Sequence, residues 1–376
     1  MNTKEPITFQ TSPPAVLLTA ENKAIELPAL WLREQSPDPE AVDSLTRQRL
    51  FDSHLLDENL ALVSIIQLPD AKAELVFSDG HRAVYEAADI LAETRSDAQG
   101  PKPQQWESSL SLAEVTHDWP EMDNDECFAA ALESYLRYGF IVLRGVPGNK
   151  EQVLRVGSKF GYVKETNFGK YFEVYTKPLS NDLAYRSVRL GPHTNNPYRD
   201  PVPGIQLLHC LVNETSGGLS TLVDSVSVVE ALKQEDLEGY ELLRDVPVRF
   251  RFVDMGVELT ASCPMIDVNG KGRTVGVHYS PRLDQLPLLP REQIQAFHRA
   301  RKRLAELFNS ERYELKFRLQ PGELMLFDNS RVLHGRTSYN PNEGLRHLQG
   351  CYIDRDGPLE RYSEVSKRTA QKLAKV

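Results

Sequence analysis

Cysteine is scarce in this 376-residue chain and nowhere clustered. Cys127, Cys210, Cys263 and Cys351 stand far apart, with no CxxC pair. That excludes a disulfide framework and fits a reducing compartment, so a cytoplasmic setting is expected. No apolar run approaches the ~18 residues a membrane helix needs. Met1 to Pro14 lacks a charged start followed by an apolar stretch, so no signal peptide is read and no membrane partner is expected. Positive charge is also in short supply. Lys and Arg number 44 against 53 Asp and Glu, a formal net charge of −9. Nucleic acid is therefore not expected as a partner, since phosphates call for basic surface. Internal repeats and low-complexity tracts are absent too.

What is present fits a folded protein of two domains, with 40% hydrophobic and 26% charged residues. Residues 1–95 read as a small β-rich unit, in which Glu74 to Ser78 and Arg82 to Glu86 flank an Asp79-Gly80 hairpin signal. The polar stretch Arg95 to Pro103 reads as a linker. Residues 111–376 form the second unit. Helical spacing of Phe128, Ala131, Leu132 and Tyr135 predicts a helix over Cys127 to Tyr138, ended by Gly139, with Phe140 to Leu143 a buried strand after it. Ile294, Phe297, Leu304 and Phe308 mark an amphipathic helix. Tyr313, Leu315, Phe317 and Leu319 alternate as a strand does. From Ile205 onward strands dominate, with one or two helices outside. This pattern predicts a mostly β fold, an antiparallel double-sheet jelly roll with flanking helices.

Nine histidines carry the functional question. His193 lies in a turn-like stretch before the strand Gly204 to Leu211. His334 follows the strand Glu323 to Phe327. Two histidines from separate strands plus one oxygen ligand make the facial triad of non-haem iron oxygenases. No histidine here begins a His-x-Asp or His-x-Glu, and His193-Thr194-Asn195 is the nearest approach. On spacing alone, His193 is equally a surface-turn histidine. Around His334 lies the dense polar segment Asp328 to Arg336. Arg346, on the strand Arg346 to Ile353, suits a carboxylate fork or a plain ion pair. Gly217-Gly218 with Ser220 offers close backbone approach and a hydroxyl. The other histidines read as structural or exposed, with His278 the one to watch.

The segments Leu190 to Pro197, Gly204 to Cys210, Gly217 to Ser220 and Phe327 to Arg336 resemble the γ-butyrobetaine and trimethyllysine hydroxylases, relatives of taurine dioxygenase. Leu30-Trp31-Leu32-Arg33 is similar to the start of that family's small N-terminal domain. The resemblance covers nearly the whole chain. It implies a double-stranded β-helix, an Fe(II) cofactor, and 2-oxoglutarate and O2 as co-substrates. It implies metal ligation by His193 and His334, with Asn195 hypothesised as the third ligand, and 2-oxoglutarate held by Arg346 with help from Ser220. The reaction implied is hydroxylation of a small trimethylammonium zwitterion with release of succinate and CO2. A homodimer is expected on the same ground.

Three departures qualify this resemblance. The family has a carboxylate at Asn195. An Asn oxygen fits the same coordination position but is neutral, so weaker iron binding is expected; the rival is a degenerate or inactivated site. The family's structural zinc needs a cysteine cluster after Leu-Trp-Leu-Arg, and Glu34 to Glu40 has none, so no zinc is expected. The family's aromatic cage falls on Phe168, Phe172, Tyr185 and Tyr352, with Phe at two places richer in Tyr and Trp. Of its two carboxylate-binding Asn positions, one falls on Asp182. The other falls in Val277 to Arg282, which has no Asn. An Asp facing an anion repels it, which points to a different anion, with Tyr279, Ser280, Arg282 or Asn181 as donors. A fitting substrate is 2-(trimethylammonio)ethylphosphonate. The alternatives are γ-butyrobetaine hydroxylation and a non-catalytic betaine-binding protein.

Overall fold

Alternation sends the side chains of a strand to two faces. In strands such as Lys72–Phe77 one face is the more buried, and in most strands of the second part both are buried. A computed structural model describes residues 8–12, 15–20, 23–94, 100–175, 187–254 and 256–373. The chain divides into two units, Met1–Gln99 and Gly100–Val376.

The first unit holds two three-stranded antiparallel sheets, Thr8–Ser12, Ala15–Ala20 and Lys23–Pro28, then Leu62–Leu68, Lys72–Phe77 and Arg82–Glu86. Along Lys72–Phe77, Ala73, Leu75 and Phe77 point into a core with Val16, Leu18, Leu32 and Tyr85. Gly80, at φ +83°, turns the chain at the expected hairpin. The loop expected to lack zinc is held by hydrogen bonds. The Ser36 hydroxyl meets His81 Nε2 at 2.7 Å, Arg33 Nε donates to Asp79 at 2.8 Å, and the Tyr85 hydroxyl donates to the Leu32 carbonyl at 2.9 Å. Burial lowers the His81 pKa, favouring the neutral ring in this contact.

The second unit begins at Gly100 rather than near Ser111. Trp106 is the reason. It is buried against Phe140, and its indole N–H donates to the Tyr138 carbonyl at 2.8 Å. A polar, proline-containing approach hid this anchor in the sequence.

Two sheets face each other. The larger runs in the order Phe172–Tyr175, Arg346–Ile353, Ile205–Asn213, Leu324–Asp328, Phe140–Arg144 and Thr116–Asp118, with Val163–Lys164 also paired to Arg346–Ile353. The smaller runs Leu190–His193, Val332–Arg336, Ser220–Asp224, Leu315–Phe317. Phe140, Val142, Leu208, Met325 and Phe327 of the large sheet share one core with Leu222, Phe317 and Val332 of the small one. Their alternates, Ile141, Leu143, Leu207 and Leu326, pack outward with Phe128, Leu132 and Tyr135 of the helix Asp125–Tyr138. That helix begins at Asp125, two residues before the expected position, capped by Asn124, whose side chain accepts from the Glu126 and Cys127 N–H groups. Gly139 ends it at φ +78°.

Among the described residues four helices follow Ile205, not one or two: Ser225–Glu235, Leu237–Asp245, Arg291–Phe308 and Gly357–Leu373. The first two escape a periodicity reading because both are short and the first carries a β-branched run. Asp224 and Asp236 cap them. With Arg291–Phe308 they cover Val223 and Leu333 on the outer face of the small sheet. The alternation of Tyr313 to Leu319 is paired only over Leu315–Phe317, opposite Ser220 to Leu222.

One buried ion pair joins several of these parts. Asp224 accepts from Arg331 Nε at 3.2 Å, from the Trp106 N–H at 3.1 Å and from the Ser227 hydroxyl at 3.1 Å. Arg331 also donates to the carbonyls of Arg137 and Gln104. Removing one partner of such a pair leaves an uncompensated buried charge. Asp224→Ala is expected to destabilise this unit by about 3–5 kcal/mol, measured as a fall in its thermal midpoint; Asp224→Asn, which keeps an acceptor, falls less.

Candidate active site

The cross-strand register sets the site. His193 stands opposite His334 in the antiparallel pair of Leu190–His193 with Val332–Arg336, and the ring centroids lie 4.4 Å apart. His193 ends a strand; it does not lie in a turn before one. Its Nδ1 meets the Gly191 carbonyl at 3.0 Å, which turns Nε2 the other way. His334 is buried, and burial together with nearby His193 pulls its pKa well down. It is therefore neutral at pH 7, as a metal ligand must be. Its Nδ1 is buried with no hydrogen bond among the described residues. Such an atom is costly unless a further group takes it.

Asn195, two residues beyond His193, lines the same pocket, and four contacts fix it. Its backbone N–H donates to Asn329 Oδ1 at 2.7 Å, and its carbonyl accepts from Asn329 Nδ2 at 2.9 Å. Its side-chain Nδ2 donates to Gln206 Oε1 at 2.6 Å and to the Tyr352 hydroxyl at 3.2 Å. Thr194 is held on the other side by the backbone of Tyr279: Thr194 N donates to the Tyr279 carbonyl at 2.7 Å, and Tyr279 N to the Thr194 hydroxyl at 2.9 Å. Among the described residues no cluster of three His, Cys, Asp or Glu side chains suits a metal. Two imidazoles and one carboxamide oxygen still form a mixed N/O donor set that suits a first-row metal.

A pocket with about 790 Å³ of empty space, continuous with solvent, opens between the sheets beside these residues. His193, Asn195, His334, Ser220, Arg336 and Arg346 line its polar side. Among the described residues its lining has no carboxylate. Arg346 is buried, and burial with the adjacent Arg336 pushes its guanidinium down to about 10. It is therefore still charged at neutral pH. Its Nε is buried without a partner among the described residues. Two neighbouring guanidiniums and a buried hydroxyl suit a carboxylate dianion such as 2-oxoglutarate. Gly218, at φ +68°, makes room for them, since a Cβ there would come within 3.0 Å of Arg346 Cδ and Nε.

Phe168, Phe172 and Tyr352 line the apolar side. Phe172 lies 5.3 Å from Tyr352 and 6.5 Å from Phe168, centroid to centroid. Phe172 stands opposite Gly350 in the sheet and lies over it, where a Cβ would come within 2.5 Å of the ring. Several residues expected here are elsewhere. Tyr279 is buried with its ring 4.8 Å from Phe308, Ser280 is buried away from the pocket lining, and Arg282 is exposed. None of the three lines the pocket, because the chain at 278–280 serves as a backbone anchor for Thr194. Tyr185, Asn181 and Asp182 lie outside the described residues. Gln206, Asn329 and Arg336 were not singled out from the sequence. Arg336 carried a signal, since it follows His334 by two positions and so shares its strand face.

Facing sheets, a histidine pair on the smaller one and a dianion pocket beside it define a jelly-roll oxygenase. The taurine catabolism dioxygenase TauD, TfdA family model matches residues 101–352, and the γ-butyrobetaine hydroxylase-like N-terminal model matches residues 16–90. The γ-butyrobetaine dioxygenase of Pseudomonas sp. (strain AK-1) is 31% identical over 88% of both chains. The human γ-butyrobetaine dioxygenase is 28% identical over 91% of both. The trimethyllysine dioxygenase of Meyerozyma guilliermondii is 26% identical over 88% of both. In fold, an asparagine oxygenase solved with Fe(II), hydroxyasparagine and succinate aligns over 64% of this chain and 93% of its own, with a TM-score of 0.50 and 18% identity. The chain belongs to the TauD, TfdA dioxygenase family. It is an Fe(II)- and 2-oxoglutarate-dependent dioxygenase that uses O2.

If Arg346 holds the co-substrate, Gly218→Ala should weaken 2-oxoglutarate binding by about fivefold by displacing it, as a ~1 kcal/mol loss in a charge-assisted contact does. Anaerobic titration of the co-substrate into the Fe(II)-loaded protein checks this.

Proposed function

We propose that this enzyme hydroxylates a small trimethylammonium zwitterion, with the aromatic wall of Phe168, Phe172 and Tyr352 receiving the cation. The carrying observation is that wall, one ring away from Asn195 through the Tyr352 hydroxyl. Aromatic faces attract a quaternary ammonium that cannot donate hydrogen bonds. On this reading His193, Asn195 and His334 hold Fe(II), and Arg346 with Ser220 holds the far carboxylate of 2-oxoglutarate. The bound metal supplies oxidative decarboxylation of 2-oxoglutarate and hydroxylation of a C–H bond. The chain's own part is to orient: the cage fixes the cation end, Tyr352 spaces it from the metal side, and the arginines fix the dianion.

Of the candidate zwitterions, γ-butyrobetaine has the stronger support, because two relatives bearing that substrate's name match over most of both chains. The phosphonate reading keeps one sequence argument: Asp182 falls where the resemblance has a carboxylate-binding Asn, and an Asp facing a carboxylate repels it.

Succinate formation with Fe(II) and 2-oxoglutarate, measured with γ-butyrobetaine, trimethyllysine and 2-(trimethylammonio)ethylphosphonate, tests the proposal. At least one trimethylammonium compound should stimulate turnover well above the uncoupled rate, and the preferred one names the tail. No stimulation by any, or tight binding without succinate, would overturn it. Phe172→Ala should lower kcat/KM for the preferred substrate by about 5–30-fold, the equivalent of ~1–2 kcal/mol of cation–π attraction.

A further inference from the structure

We infer that Gln206 is a positioning residue for the metal, acting through Asn195. The inference rests on the reading of Asn195 as a ligand. A carboxylate offers the same oxygen whichever way it is flipped. A carboxamide does not: one end is an oxygen with lone pairs, and the other is an NH2 with no lone pair to give. An Asn in a ligand position therefore works only in one of its two flips, and something must hold it there.

Gln206 is 1% exposed and sits on the inner face of the strand Ile205–Asn213, among the pocket-lining residues. Its Oε1 accepts from Asn195 Nδ2 at 2.6 Å. The Tyr352 hydroxyl takes the same Nδ2 at 3.2 Å. Both contacts occupy the nitrogen end. The Asn195 oxygen accepts no hydrogen bond from the described residues. Asn329 meanwhile grips the Asn195 backbone at N–H and carbonyl, so the side chain's only freedom is rotation about its own bonds. Gln206 is the shorter of the two restraints on that rotation, and it works as an acceptor.

An acceptor requirement separates Gln206 from a residue that merely packs. Gln206→Glu keeps an acceptor facing Nδ2. Gln206→Leu removes it. When Asn195→Asp is introduced, the requirement reverses: the second carboxylate oxygen now needs a donor, which Gln supplies by flipping and Glu cannot.

The test is anaerobic Fe(II) affinity by chelator competition, with circular dichroism to establish folding, and no turnover is needed. Gln206→Leu should weaken Fe(II) binding 10–100-fold, the usual range for groups that orient metal ligands. Gln206→Glu should stay within about threefold of the parent or bind more tightly. In the Asn195→Asp background, Gln206→Glu should instead weaken binding at least tenfold. The inference is overturned if Gln206→Leu binds Fe(II) as the parent does, or if Gln206→Glu weakens the Asn195 parent as much as Leu. Should the Leu variant fail to fold, the two Glu measurements decide alone. Asn195→Ala is the separate control: unchanged Fe(II) affinity there would refute Asn195 as a ligand, whereas a loss there with indifference at Gln206 would refute this inference only.

Discussion

The register between Leu190–His193 and Val332–Arg336 is the constraint on which the site depends. An antiparallel pair brings directly opposed side chains within about 5 Å, and here it opposes two histidines drawn from 141 residues apart in the chain. A slip of one residue would turn His334 toward the outer helices and put Leu333 into the pocket. That slip is opposed from both faces. Val332 belongs to the core between the sheets, while Leu333 is buried among the helices covering the small sheet. Apolar packing on two faces therefore fixes a polar geometry on one. The same alternation delivers Arg336 to the pocket, two positions beyond His334.

From His193 onward the chain leaves the sheet, and hydrogen bonds replace register. Each of the next residues has its own holder: Tyr279 for Thr194, Asn329 and Gln206 for Asn195, Tyr198 and Tyr352 for Asn196. Asn196 adopts φ +53°, a region that Asn tolerates better than most residues. That turn lets two successive side chains reach one tyrosine. Tyr352 is thereby shared, its ring facing the cage and its hydroxyl facing the Asn pair. Burial pushes its phenol pKa far up, so it remains a neutral hydroxyl beside Asn195 and Asn196.

Much of this was legible in the sequence where a local rule acts. The helix Asp125–Tyr138 shows its period and its Gly139 stop, and the paired strands around Asp79-Gly80 show their turn. His193 and His334 stood out because motifs of several residues surround them. Gln206 and Asn329 did not, because their roles exist only after distant strands have paired. Gln206 sits in a mostly apolar strand that also carries His209 and Asn213, and nothing marks it until Asn195 is folded against it. Tyr279 misled for the opposite reason. Its neighbourhood matched a substrate-binding segment, but the fold uses its peptide group and buries its ring. Trp106 was hidden by the polar residues around it, since a single buried indole has no periodicity.

The overall charge of −9 conceals a local field of opposite sign. The described pocket lining presents two guanidiniums and no carboxylate, and each arginine raises the cost of the other's charge. A dianion relieves that repulsion, so the pocket is built to be most stable when filled. With Asp at position 195, a fixed negative charge would already offset part of the field and would attract a divalent metal unaided. With Asn, on the reading of Asn195 as a ligand, the described pocket lining offers the metal no negative charge, and the co-substrate brings it. Metal and dianion then favour one another's binding reciprocally, as linkage requires. On that reading the chain's own contribution at position 195 is orientation rather than charge, supplied by the hydrogen bonds to the Asn195 backbone and Nδ2.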